Sequence, residues 1–225
     1  MAVHRLLATA CVAFGLGLGA VTAGATITAY PDQKSDFVAA SGATSIGALP
    51  GSGSAHNRVV GTVTFSNGPS GTSVFGSYSN EIGGYDLAMS GVENFNMVIA
   101  GGAFAIGFDL HEPSYASSTG CNAPCVNSPF RITLLDGTTP LGSVIYDAPN
   151  DAGSAAGGPL GFIGLVSTVR FTRVEVRDTS NNIDNEFFGN FLVGQTAPVP
   201  EAPPAVLLLA GLSVVTEVAR RTRRH

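Results

Sequence analysis

Tryptophan is absent from this 225-residue chain, and cysteine, methionine and lysine are all scarce. Without tryptophan, any flat aromatic platform has to come from the five tyrosines (30, 78, 85, 115 and 146) or from phenylalanine. Charge is also thin, at 12% of residues, and basic residues are the rarer kind. Five of the eleven basic residues lie at the ends: Arg5, and Arg220, Arg221, Arg223 and Arg224. Setting these aside, together with Glu201 and Glu217, moves the formal net charge from −5 to −8. The middle of the chain is therefore acidic. It lacks the basic clusters that phosphate backbones require, which excludes nucleic acid as a partner. Long hydrophobic runs are missing from the middle and occur only at the ends.

At the N-terminal end, His4 and Arg5 precede "LLATACVAFGLGLGAV", and an A-x-A site follows at Ala23-Gly24-Ala25. This is the layout of a secretory signal peptide over residues 1–25, cut after Ala23 or Ala25 by signal peptidase. Gly15, Gly17 and Gly19 make it a poor core helix. Cys11 precedes most of the apolar run, which excludes a lipoprotein site. Export leaves two cysteines, Cys121 and Cys125 of "CNAPC". In an oxidising compartment these are expected to form a disulfide, a local clip on a short loop. A zinc pair lacks further ligands nearby, and a redox motif would need C-x-x-C at a helix start.

Residues 26–196 read as one all-β domain, a β-sandwich of jelly-roll-like kind. The period-two alternation of "AFAIGFDL", "FRITLLD" and "FTRVEVRD" puts Phe104, Ile106, Phe108, Leu110, Phe130, Ile132, Leu134, Val174 and Val176 inward. "VVGTVTFS" reads as one further strand, and "NFNMVIAGG", "GFIGLVS", "GSVIYDA" and "EFFGNFLVG" as others. Residues 32–41 supply the single helix of the body, with Phe37 and Val38 as its apolar face. Residues 148–161 are too polar and glycine-rich for an element and read as a long surface loop. Many short strands separated by turn residues favour a sandwich over an α/β fold.

Chemistry is poorly signalled. G-x-S-x-G, H-E-x-x-H and P-loop motifs are all missing. His56 and His111 are the only histidines of the body. His111-Glu112 ends a strand and reads as a solvated turn, with a general-base pair as the sharper alternative. Asp109 with Glu112, and Asp184 with Glu186, are the carboxylate pairs available for glycoside cleavage, with Asp109 expected to be solvated or bonded to a loop. No catalytic residue is assigned and no cofactor is expected. The weak exception is calcium, for which Asp178, Asn181 and Asp184 of "RDTSNNIDNE" offer hard oxygen ligands; Asx turns account for the same residues. Each tyrosine reads as core or interface, with a shallow sugar site around Tyr78 and Tyr85 as the alternative.

The C-terminal end is the more specific signal. "PVPEAPPAVLLLAGLSVVTEVARRTRRH" is a proline collar, an apolar run over residues 205–219 and an arginine cluster. About fifteen helical residues reach roughly 22 Å, short of a hydrocarbon core near 30 Å. The helix is a marginal span with its basic end cytoplasmic. Residues 197–225 resemble the PEP-CTERM sorting signal of Gram-negative bacteria that make exopolysaccharide. The matching residues are Val199, Pro200, Glu201 and Ala202 for the motif, and Arg220, Arg221, Arg223 and Arg224 for the basic end. Ala202 stands where the family usually has proline, and Glu217 within the span is atypical. "GTVTF" (Gly61 to Phe65) and the Ile183-Asp184 pair before the final strand are also similar to segments of such proteins. The resemblance implies removal of the tail by exosortase after a transient stay in the inner membrane. It implies delivery to the cell envelope or the extracellular matrix, and a non-enzymatic β-sandwich with a structural or adhesive role. A carbohydrate-binding module for exopolysaccharide is the second reading, and a secreted hydrolase the third.

Overall fold

A computed structural model describes residues 24–79, 81–112, 128–149, 160–180 and 186–198. They form an all-β body with one short helix. The elements are β1 (Ile27–Pro31), α1 (Lys34–Ser41), β2 (Thr44–Ser45), β3 (Gly53–Ser54), β4 (Arg58–Val60), β5 (Val63–Asn67), β6 (Gly71–Gly76), β7 (Asp86–Gly91), β8 (Phe95–His111), β9 (Phe130–Asp136), β10 (Thr139–Tyr146), β11 (Gly161–Asp178) and β12 (Phe187–Gly194). All twelve strands are joined by hydrogen bonds into one sheet, and every pairing is antiparallel.

That sheet folds over on itself because two of its strands are long and broken in the middle. β8 has 17 residues and β11 has 18. Where they run together, the register slips between Val166 and Phe171, and again between Phe171 and Arg173. Opposite the slip, Gly101 and Gly102 adopt φ of +76° and +74°, a region most side chains avoid. The front half runs β10, β9, the C-terminal part of β11, the N-terminal part of β8, β5 and β4. The back half runs β1, the N-terminal part of β11, the C-terminal part of β8, β12, β7, β6 and β3, with β2 also on β12. The two layers expected of a sandwich are thus the two halves of a single sheet.

The core lies between the halves. Phe65, Phe95 and Phe130 of the front meet Phe191 and Phe188 of the back, with ring centroids 5.1 Å (Phe65–Phe191), 4.9 Å (Phe95–Phe188) and 5.2 Å (Phe130–Phe188) apart. Tilted and edge-on pairs at such distances add to the burial of the rings themselves. The inward residues read from alternation are buried as expected, from Ile106, Phe108 and Leu110 to Ile132, Leu134, Val174 and Val176. Phe104, read as inward with them, is half-buried.

Four expectations are corrected. "VVGTVTFS" is a hairpin and not one strand: Val60 pairs with Val63 across Gly61 and Thr62, which buries Val60 and exposes Val59. "NFNMVIAGG" and "AFAIGFDL" are one strand, as are "GFIGLVS" and "FTRVEVRD", since the sequence between them bends the strand without ending it. The helix begins at Lys34, and Val38 is exposed; Phe37 alone carries its apolar contact. Of residues 148–161, Ala148 is buried and Gly161 opens β11. Residues 1–23 of the signal segment, the cysteine pair and residues 199–225 of the sorting tail lie outside the described residues. Among the described residues no helix is long and apolar enough to cross a membrane.

Candidate functional site

Polar side chains collect at one end of the back half, opposite the bend. β8 ends there with Asp109, His111 and Glu112, β12 starts there after Glu186, and β7 starts there with Asp86. All five are buried. A strand running outward from a core normally ends in solvated residues. Here the outer face is covered on one side by α1 and on the other by residues 77–79 and 81–85 of the loop between β6 and β7.

Helix α1 lies flat because the strands beneath it carry glycine. A Cβ on Gly164 would stand 2.4 Å from the Phe37 ring, and one on Gly107 would stand 2.8 Å from it. The helix brings Lys34 to Asp109. Its Nζ donates to both carboxylate oxygens, at 2.9 and 2.7 Å, and sits 5.6 Å from the centre of the Phe162 ring. Asn190 approaches Asp109 from the other side. The step of three from Gly189 to Leu192 on β12 faces a step of two from Asp109 to Gly107 on β8, a bulge with Asn190 at φ +49°. Its Nδ2 donates to Asp109 Oδ2 at 2.7 Å and to the Ile82 carbonyl at 2.9 Å. Asp109 is therefore the tie between helix, strand and loop. It is buried, not solvated, and its lone pairs are engaged.

The 77–85 loop is built around Asp86. The N–H groups of Tyr78 and Ser79 both donate to Asp86 Oδ2, at 3.0 and 2.5 Å. Among the described residues Asp86 Oδ1 has no hydrogen-bond partner. Burial pushes the Asp86 carboxyl above the usual carboxylate range, and the two N–H bonds offset this only in part. Ser79 Oγ and His111 Nδ1 share a hydrogen bond of 2.7 Å, so His111-Glu112 is not the solvated turn expected from sequence. At the adjoining corner Tyr146 donates to Asp32 Oδ1 at 2.6 Å, and the Phe162 N–H donates to the same oxygen at 3.0 Å. Burial first, and then Asp32, hold the Tyr146 phenol well above its ordinary range.

A serine beside a histidine with carboxylates around them has the ingredients of a nucleophile, but Ser79 is only 3% exposed. A nucleophile must reach a reacting atom, and Ser79 is enclosed. Asp109, one of the carboxylates considered for glycoside cleavage, is held by Lys34 and Asn190. Asp178 Oδ1 accepts from both the N–H and the Oγ of Ser180, at 2.6 and 2.8 Å, which is the Asx turn weighed against calcium. Asn181 and Asp184 lie outside the described residues. Among the described residues no three His, Cys, Asp or Glu are grouped to hold a metal.

The accessible part of this end is aromatic. Tyr78 is 53% and Tyr85 48% exposed, so of the core or interface roles expected from sequence the core role is excluded for both. Each ring rests against a glycine. A Cβ on Gly76 would stand 2.3 Å from the Tyr78 ring, and one on Gly51 would stand 2.9 Å from the Tyr85 ring. Tyr78 also stacks on Phe187 at 6.3 Å and 16°. Tyr30 is half-buried against Phe37, Tyr146 is buried, and Tyr115 lies outside the described residues.

Sequence reasoning missed Lys34, Ser79, Asp86 and Asn190. Asn190 alone had a signal: strict alternation cannot send both Phe188 and Phe191 into the core, so "FFGNF" has to contain a bulge.

No protein-family model and no curated protein matches the chain. Among solved structures it is similar to a mutant of a family 29 carbohydrate-binding module, described as probing that module's ligand recognition. The likeness covers 80% of this chain and 98% of that one, at 11% identity and a TM-score of 0.29. At that score neither a fold family nor a ligand carries over.

Proposed function

We propose that this chain is an exported, non-enzymatic β-domain that signal peptidase and exosortase process at its two ends. Its place is the cell envelope or the extracellular matrix, where it has a structural or adhesive role. The observation that carries this reading is where the strands begin and end. β1 opens at Ile27, just past the A-x-A site, and β12 closes at Gly194, just before Val199-Pro200-Glu201. Both proposed cuts fall outside every strand, so processing leaves the sheet intact. The non-enzymatic part is supported by the enclosure of Ser79 and His111 and by the engagement of Asp109. The test is the intact mass of the protein from envelope and medium, with and without exosortase. Loss of the chain from near Pro200 only when exosortase is present supports sorting. A retained tail in both strains overturns it and leaves a C-terminally anchored surface domain.

A second reading is favoured by the tyrosine ledge. Exposed rings backed by glycine present a free apolar face with a polar hydroxyl at its rim, an arrangement suited to stacking a neutral sugar. A glycan array with Tyr78→Ala and Tyr85→Ala tests it. Each substitution is expected to weaken a neutral-glycan signal about three- to tenfold, as losing one aromatic contact does. An array with no neutral-glycan signal, or one indifferent to both changes, overturns it.

A further inference from the structure

We infer that the outer face of the front half of the sheet binds an acidic polysaccharide. Between residues 26 and 198 the chain has only six basic side chains: Lys34, Arg58, Arg131, Arg170, Arg173 and Arg177. Three of them share this one face. Arg173, Glu175 and Arg177 alternate along β11 with the core residues Val174 and Val176 and so point outward together. Arg131 on β9 stands directly opposite Arg177 in the antiparallel register. Among the described residues Glu175 is the acid that bonds them, to Arg173 at 2.5 Å and to Arg177 at 3.1 Å. Arg131 has no acid partner among the described residues. The face thus carries a local charge of about +2 within a body of net charge −8.

Like charges directly across a strand pair are unfavourable. A fold stabilised only from within would place an acid opposite Arg177, and this chain has acids to spare. Arg177 is also stacked into the sheet: its guanidinium donates to the Phe95 and Val176 carbonyls and to Asn96 Oδ1. Burial and the neighbouring Arg173 both disfavour its charge, with Glu175 opposing them. With the Arg177 donors taken up inside the fold, Arg131 and the outer side of Arg173 are the groups left for an anion, which would add the counter-charge this face lacks. At about 8 Å screening length in physiological salt, the acidic residues of the back half do not cancel the patch.

The choice of ligand follows from the rest of the face. Thr133 stands among the arginines, opposite Glu175, and Thr64 lies beyond Val98 on β5; their hydroxyls suit a hydrated, hydroxyl-rich polymer. The three most exposed aliphatic residues of the described chain, Val59, Ile145 and Val98, also lie here, spread from the β4 edge to the β10 edge. They give a flat sugar ring something to rest on. No exposed aromatic residue is on this face, whereas the core of a protein interface is enriched in them. Arg173 and Arg177, four residues apart on β11, converge on the Glu175 carboxylate, and with Arg131 across the strand pair they make one basic cluster for a polymer carboxylate to meet. The inference goes beyond the tyrosine ledge, which is on the other half and is suited to neutral sugars.

Affinity electrophoresis in gels containing polygalacturonate tests it, with neutral dextran gels alongside. The protein is expected to be retarded by polygalacturonate and not by dextran, and the retardation should fall several-fold between about 50 and 200 mM salt as counterions compete. Arg131→Gln with Arg173→Gln should weaken retardation at least tenfold while the thermal midpoint stays near that of the parent. Tyr78→Ala should leave it unchanged, which separates failure here from failure of the ledge. Absence of retardation at the lowest salt, or retardation indifferent to the double substitution, overturns the inference. Binding to vesicles rich in anionic lipid but not to polygalacturonate also overturns it, in favour of a lipid surface.

Discussion

Asp86 holds the 77–85 loop at an electrostatic cost. It is fully buried, one oxygen accepts two N–H bonds, and the other has no partner among the described residues. Its carboxyl is shifted upward from 3.8, with burial the largest cause. The folded state therefore holds this proton more tightly than the unfolded chain does. The stability contributed by the group is complete below 3.8 and is lost as pH rises through the higher folded value. Asp86→Asn keeps the acceptor for Tyr78 and Ser79 and removes the titration. The stability of the parent relative to Asp86→Asn is expected to fall as pH is raised from about 4 toward 7, by about 1.4 kcal/mol for each unit of upward shift. Urea denaturation of both proteins across that range checks it. A difference that stays flat, or that grows with pH, would mean the loop stabilises the carboxylate. At this scale the sequence shows which residues can be charged but not which are enclosed. Asp109 sits on a strand face among Ala105 and Gly107, which reads as open to solvent. Only the fold reveals that those small residues make room for Phe37 and that α1 delivers Lys34.

The bend that makes one sheet into two layers belongs to the element scale. Gly101 and Gly102 have nearly the same backbone, yet their surroundings differ. A Cβ on Gly101 meets only Gln195 Nε2, at 3.9 Å, whereas one on Gly102 stands 2.9 Å from the Arg170 side chain and 3.0 Å from the Phe171 carbonyl oxygen. Gly101→Ala is expected to cost about 1–2 kcal/mol, the strain of the left-handed conformation alone. Gly102→Ala adds crowding against backbone, for a further loss of about 1–3 kcal/mol. Equilibrium denaturation in guanidinium separates the two, and equal costs would mean that Phe171 gives way easily. Alternation made the individual strands legible, because one face of each is buried and a slip of one residue would reverse it. The joins were not legible. A double glycine between apolar runs reads as a turn between strands, and here it is a corner inside one strand. The opposite error occurred at Gly61, where a two-residue turn was hidden inside what looks like one alternating run.

At the scale of the whole molecule, pairing order is what alternation cannot supply. β8 is flanked by β11 and by β5 or β12, partners from distant parts of the chain, and nothing local in the sequence distinguishes that order from a simple meander. Among the described residues every strand lies between Ile27 and Gly194, and the last one is internal: β12 is bonded to β8 on one side and to β7 and β2 on the other, and it supplies Phe188, Phe191 and Val193 to the core. Two truncations should therefore behave in opposite ways. Residues 26–198 are expected to fold alone with a single cooperative urea transition, because no strand is lost. Residues 26–186 lose β12 and with it two fully enclosed phenylalanines, each worth about 3–5 kcal/mol on removal. A domain stabilised by only 5–15 kcal/mol does not survive that together with the loss of a central strand. Amide dispersion in a proton–nitrogen correlation spectrum and the urea transition read both outcomes. If residues 26–198 fail to fold, the chain ends are part of the body, and a tail that is cut away near Pro200 is no longer a tenable reading. If residues 26–186 fold as well as the longer piece, β12 is an accessory strand, and the aromatic contacts that join the two halves through Phe188 and Phe191 are not what holds them together.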